Sequence, residues 1–290
     1  MSEAARSPLA SRNPRRRRQR ALATALTIAL SGFAFAIQKQ GAEPALQGQE
    51  LAKRVLKAQE TSGFQIRARV ILGDDTDEAR PVILQVRIAG RRENGRQRVL
   101  YQVFWPTSLK GYAAVIEQEQ GPEVSGFVFE PPDRVTPLAP AVLKASFAGS
   151  GLTLEDLAEN FWRWPRQRVT GQAQAGKQAC TVLESQPSPD LDTAYASVRS
   201  CVDPKKATPL WVEKYGTDGK LVKRISFETP DRKNRDQEFR VSMVVEGGPS
   251  VPRTRVEILK SDRGIKISPD EFSLERLKSF VSKPPLVLPR

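Results

Sequence analysis

The chain of 290 residues has no histidine and only two cysteines, Cys180 and Cys201. The first absence removes Ser-His-Asp and Cys-His nucleophiles and every histidine-containing metal site. GxSxG, a glycine-rich phosphate loop and HExxH are missing as well. Carboxylates are plentiful, and Glu155, Asp156 and Glu159 fall on one segment of helical character, where a solvated surface face is the expected reading. The chain is therefore expected not to be an enzyme and to need no cofactor or metal. Binding through shape and apolar surface becomes the expected mode of action.

Positive charge is not scarce, but it is unevenly placed. The chain carries 46 Lys plus Arg against 33 Asp plus Glu. The block RNPRRRRQR at 12–20 runs directly into the uncharged ALATALTIALSGFAFA at 21–36. That order is the n-region and h-region of a secretory signal, and Ala34, Phe35 and Ala36 supply a small-x-small cleavage pattern. Residues 1–36 are thus read as a signal peptide or, uncleaved, as a signal anchor, because about 17 apolar residues is the lower limit for a span. Either way the remainder is expected to be exported, most simply to a periplasm. The h-region holds no cysteine that could be lipidated. Past residue 36 the balance is only mildly basic, and no interleaved aromatic and basic block points to nucleic acid.

In an oxidising compartment two cysteines favour a disulfide. ACTVLESQ and YASVRSCVD have strand character and are separated by the turn-rich PSPDLDT. Folding this segment as a hairpin sets Cys180 opposite Cys201, Leu183 opposite Val198 and Glu184 opposite Ser197, within bridging range. Two independent thiols are the alternative. A redox pair is disfavoured by the lack of CxxC spacing.

Alternating hydrophobicity dominates the rest. Phe64, Ile66, Ala68, Val70 and Leu72 share one face, and Val82, Leu84, Val86 and Ile88 repeat the pattern. Further strands are expected at 98–105, 111–118, 124–130, 166–172, 178–186, 195–203, 209–216, 220–228, 237–246 and 253–260. Helices are expected at 48–60, at 140–147, after a capping box at Thr153 to Asp156, and at 268–280 behind a serine cap and Pro269. The expected fold is mainly β, a large curved antiparallel sheet with a few helices laid against it, over residues 37–282. Residues 283–290 read as an extended tail.

Several segments taken in order resemble a known family. FVFEPPDRV and SFAGSGLTLEDLAENF lead to GKQACTVLESQP and then to ASVRSCVDPKKATPLWVEKYGTDGKLVKRISFE. The last contains a hairpin marked by Leu210, Glu213, Tyr215, Gly219, Lys220 and Leu221. This succession, with the opening helix and GFQIRARVIL, resembles the LolA/LolB-like outer-membrane lipoprotein-sorting family over roughly residues 45–280. Leu152 and Leu154 depart from it, standing where that family often has aromatic residues.

The resemblance implies an antiparallel half-barrel whose helices close over an apolar cavity for acyl chains. It also implies lipoprotein acyl chains or lipid as ligand, and sorting partners at the inner and outer membranes. Candidate lining residues are Ile66, Val70, Leu84, Val86, Val103 and Trp105, although alternation of this kind is also what any half-buried sheet requires. Trp162 and Trp164 either cover the cavity mouth or anchor the central helix. Two functions follow: a periplasmic carrier of acyl chains, or an envelope structural or sensory domain that binds a lipid or peptide signal without moving it.

Overall fold

The computed structural model describes residues 34–73, 81–228 and 242–281. Most of the signal reading, residues 1–33, and the tail at 283–290 lie outside the described residues. The chain divides into two compact units, Met1–Lys39 and Gln40–Arg290, and of the first the described part is helical.

After helix α1 (Ala34–Ala58) come β1 (Gly63–Leu72), β2 (Val82–Glu93), β3 (Arg96–Trp105), β4 (Ala113–Gln118), β5 (Val124–Glu130) and β6 (Arg134–Pro137). Two short helices, α2 (Pro140–Leu143) and α3 (Leu154–Ala158), then precede β7 (Arg166–Ala175), β8 (Gln178–Gln186), β9 (Ser197–Val202) and β10 (Pro209–Tyr215). The chain continues through β11 (Leu221–Glu228), β12 (Ser242–Gly247), β13 (Thr254–Arg263) and α4 (Leu274–Val281). The four-residue β6 escaped the sequence reading because it is too short to alternate. The expected helix at 268–280 is divided into a 3-10 turn, Pro269–Phe272, and α4; Ser268 does accept from the Asp270 amide as its cap.

All thirteen strands among the described residues lie in one antiparallel sheet, ordered β6-β5-β4-β3-β2-β1-β13-β12-β11-β10-β9-β8-β7. The sheet is curved but not closed into a barrel. Its first and last strands pair at the centre, β1 on β13, so that the two edges, β6 and β7, are neighbours in sequence. The segment between those edges, residues 138–165, therefore has to cross from one edge to the other. It crosses over the concave face as a strap carrying α2 and α3.

Alternation splits the apolar residues between the two faces. On the concave side one core joins Leu51 and Val55 of α1 to Leu84, Val103, Val198, Val212 and Val245, with Phe147, Leu154 and Trp162 of the strap. On the convex side α4 and the preceding turn pack Phe272 and Leu277 against Leu100, Val115 and Phe129. Cys180 and Cys201 are buried there too, beside Val182 and Trp211.

The two cysteines form the expected disulfide, with Cα atoms 5.4 Å apart. The register differs from the expected one. Val182 faces Cys201 and Ser185 faces Val198, a slip of two residues. An even slip keeps every side chain on its face, so the bridge joins diagonal neighbours rather than opposed ones.

Gly48 is placed where α1 crosses β7 at close range. A Cβ there would stand 2.5 Å from the backbone carbonyl group of Gln167. Alanine is the better helix former by roughly 1 kcal/mol, yet Gly48→Ala is expected to lower the thermal midpoint, because backbone cannot move aside as a flexible side chain can. A raised midpoint in a melting scan would mean that α1 does not pack on β7 in this way.

Candidate binding cavity and its buried charges

The strap begins α3 with a capping box. Thr153 accepts from the Asp156 amide at 3.1 Å, and the Asp156 carboxylate accepts from the Thr153 amide at 2.8 Å. The same carboxylate then reaches the sheet. Its Oδ1 accepts from Lys214 Nζ at 2.5 Å and from the Tyr195 hydroxyl at 2.8 Å, and its Oδ2 accepts from Lys223 Nζ. Asp156, Lys214 and Lys223 are 4, 1 and 2 % exposed. The expectation of a solvated acidic face is thereby corrected: Asp156 and Glu155 are buried, and Glu159 is half-buried. Glu155 accepts from the Thr193 hydroxyl and the Ala194 amide, which fastens the 187–196 loop to the strap.

Strand register explains why this anion is needed. Lys214 and Lys223 are direct cross-strand partners on β10 and β11, and both point to the concave core. Like charges so placed repel, and Asp156 lies between them as a shared counter-ion. Burial by itself raises a carboxyl, but the two ammonium groups outweigh it and hold Asp156 well below the usual carboxylate range. Burial lowers Lys223, and the Asp156 charge opposes that shift. Burial, with the Asp156 charge beside it, pushes the Tyr195 hydroxyl up, so that it stays a donor. Lys214 also lies 4.8 Å from the Tyr195 ring centroid and 5.2 Å from that of Phe161.

A carboxylate depressed in the folded state stabilises fully above its unfolded value and loses that contribution as pH falls through the folded one. The urea midpoint of the protein is accordingly expected to fall below about pH 4. Over the same range, the stability difference between the protein and Asp156→Asn should shrink. A difference independent of pH would contradict the ionised form of Asp156.

Other hydrogen bonds tie the strap along its length. The Tyr101 hydroxyl donates to the Leu157 carbonyl at 3.0 Å, and the Gly151 amide to Thr254 Oγ1 at 2.8 Å. Gln167 donates to the carbonyls of Phe161 and Trp164 while accepting from Ser185.

Beneath the strap lies a cavity of about 360 Å³, within the usual size range of small-molecule sites. Its apolar wall includes Ile66, Val86, Ile88, Phe227, Met243 and Ile258. Polar residues, among them Gln59, Gln97, Gln118, Glu159 and Arg163, also reach it. A larger, open groove of about 670 Å³ lies around Arg91, Arg96, Arg98, Glu93, Glu117 and Glu119. Its arginines are already paired with its glutamates, so the smaller cavity is the candidate site.

The residues named from sequence divide into three groups. Ile66, Val70 and Val86 line the cavity. Leu84, Val103, Trp162 and Trp164 are buried in the surrounding core without lining it. Trp162 and Trp164 pack with Phe161, at centroid distances of 4.5 Å from Phe161 to Trp162 and 6.4 Å to Trp164, and anchor the strap instead of covering a mouth. Trp105 is 52 % exposed and is not part of the site. Strict alternation would set it on the face of Val103, but β3 bulges against β2: Val103 faces Val86, and Trp105 faces Gln85, which turns it away.

The residues missed are Asp156, Lys214, Lys223, Gln118 and Arg163. A signal for the lysines exists, since each occupies a core-parity position beside an apolar residue, Val212 and Ile225 respectively.

Comparison with known proteins agrees with this architecture. A DUF1329 family protein from Desulfovibrio piger superposes with a TM-score of 0.70 at 17 % identity, covering 81 % of this chain and 99 % of that one. A putative outer membrane lipoprotein-sorting protein domain from Vibrio parahaemolyticus gives 0.70 at 19 % identity, with coverage of 81 % and 99 %. A LolA superfamily protein from Nitrosomonas europaea gives 0.59 at 16 %, with coverage of 79 % and 98 %. Among curated protein sequences none matches. A family profile described as "-like: Uncharacterized protein" matches residues 95–279. The chain belongs to that family, and its fold is that of the LolA-like lipoprotein-sorting proteins.

Proposed function

We propose that the protein is an exported carrier that holds an acyl chain of a lipid or lipoprotein in the cavity under the strap, without chemical turnover. The cavity carries this reading: a largely apolar chamber between the concave sheet and a covering segment. Burying each methylene of an acyl chain recovers about 0.8 kcal/mol. A single acyl chain holds to a membrane only marginally and reversibly, so a chamber of this kind can compete for it. The fold shared with lipoprotein-sorting domains supports the same reading.

Export rests on the arginine block, the apolar run and the Ala-Phe-Ala site. Among the described residues no helix is long and apolar enough to cross a membrane. Terminal sequencing of protein from an envelope fraction is expected to begin near Ile37, and recovery of intact Met1 would support the anchor instead.

Ile66 and Ile88 are cross-strand partners that both line the cavity. Ile66→Asn and Ile88→Asn should each weaken binding of a fluorescent fatty acid by roughly tenfold or more, since each leaves a polar group unpaired against the chain. Arg67→Asn on the exposed face should bind as the parent does. Equal binding by all three folded variants would remove the cavity from the function.

A further inference from the structure

The cavity is not uniformly apolar. Gln118, at the end of β4, is 6 % exposed and lines it, yet its amide nitrogen has no hydrogen-bond partner among the described residues. Buried donors without acceptors are rare. Its cross-strand partner Gln97 lines the cavity as well and accepts from Arg92, whose other nitrogen is paired with Glu60. Arg163, at the end of the strap's 3-10 turn, is half-buried and also lines the cavity. The Glu159 carboxylate, which also lines the cavity and accepts from Gln59 at 3.2 Å, acts on Arg163 through its charge, while burial and the charge of Arg92 disfavour the Arg163 cation. Asn160, three residues before Arg163, donates to the Pro122 carbonyl in the loop after β4, which fixes this part of the strap over the Gln118 end of the strand.

We propose that Gln118 and Arg163 form a head-group subsite, so that the cavity takes a single-chain amphiphile bearing an oxyanion, carboxylate or phosphate. The alkyl chain lies along Phe227, Met243 and Ile258. An oxygen of the head supplies the acceptor that Gln118 lacks, and its charge pairs with Arg163 in a partly desolvated setting, where charge-assisted bonds are strongest. This inference rests on the carrier reading and adds a polarity requirement that apolar burial alone does not impose.

The test measures binding of three probes of equal chain length to the mature protein: a fatty carboxylate, an alkyl phosphate and a fatty alcohol. Arg163→Gln is expected to weaken at least one anionic probe about tenfold and leave the alcohol unchanged. Arg163→Lys should retain most of the affinity, and Gln118→Leu should weaken the anionic probes more than the alcohol, whose neutral oxygen accepts a weaker bond. Whichever anion the parent prefers identifies the head group. If Arg163→Gln weakens all three probes alike or none of them, the subsite is overturned while the carrier stands. If the parent binds no probe, the carrier reading itself fails.

Discussion

Asp156→Asn is expected to lower the unfolding free energy by about 3–5 kcal/mol, the usual cost of removing one partner from a buried ionic group. For a domain of this size that is a fall in midpoint of roughly 10 °C. The replacement keeps the size of the side chain and an oxygen able to accept from the Thr153 amide, so helix capping survives. What it removes is the only carboxylate bonded to both Lys214 and Lys223 among the described residues, leaving two facing ammonium groups in the core. Apolar replacement of all three, Asp156→Leu with Lys214→Met and Lys223→Met, should recover part of the loss, because well-packed apolar groups replace buried ion networks at little cost, while the Thr153 amide and the Tyr195 hydroxyl lose their acceptor. Calorimetry on these two variants checks the account. An Asp156→Asn protein as stable as its parent would mean that the charges are not buried together.

The second large effect concerns the bridge between Cys180 and Cys201, which closes a loop of sequence separation 21. Cys201→Ser is expected to cost about 3 kcal/mol from restored chain entropy alone. The new hydroxyl adds to this, because it sits in a fully buried site beside Val182 and Trp211 without a designed partner. Replacing both cysteines by alanine should destabilise less than Cys201→Ser, since it leaves neither a lone thiol nor a hydroxyl. Chemical denaturation of the three proteins without reductant separates the two contributions, and equal midpoints would remove the bridge from the energetics.

The sheet was legible because its strands are half-buried: alternation in GFQIRARVIL or RVLYQVFW reports one wet and one dry face. Among the described residues, twelve of the thirteen strands could be read in this way. The bridge was legible for a related reason, as symmetry about a turn-rich segment sets two strands side by side. Register was not, since a slip of two residues changes no face and so leaves no trace in the pattern. The bulge that turns Trp105 outward is equally silent, being a matter of backbone fit between β2 and β3.

The charged site was misread for a different reason. Glu155, Asp156 and Glu159 look solvated when α3 is considered alone, and only the strap's passage from β6 to β7 buries them. That passage follows from which strands are the edges, a property of the whole sheet. Lys214 and Lys223 did carry a local hint, two cations opposed across one hairpin at core parity, and such a pair calls for an anion supplied from elsewhere.

The central claim, that the cavity holds an acyl chain, is tested most directly by native mass spectrometry of the protein purified gently from an envelope fraction. The account predicts one non-covalent acyl-bearing adduct per chain, released on denaturation and replaced by a single equivalent of fluorescent fatty acid. Protein that emerges bare and then takes up no probe saturably would contradict it.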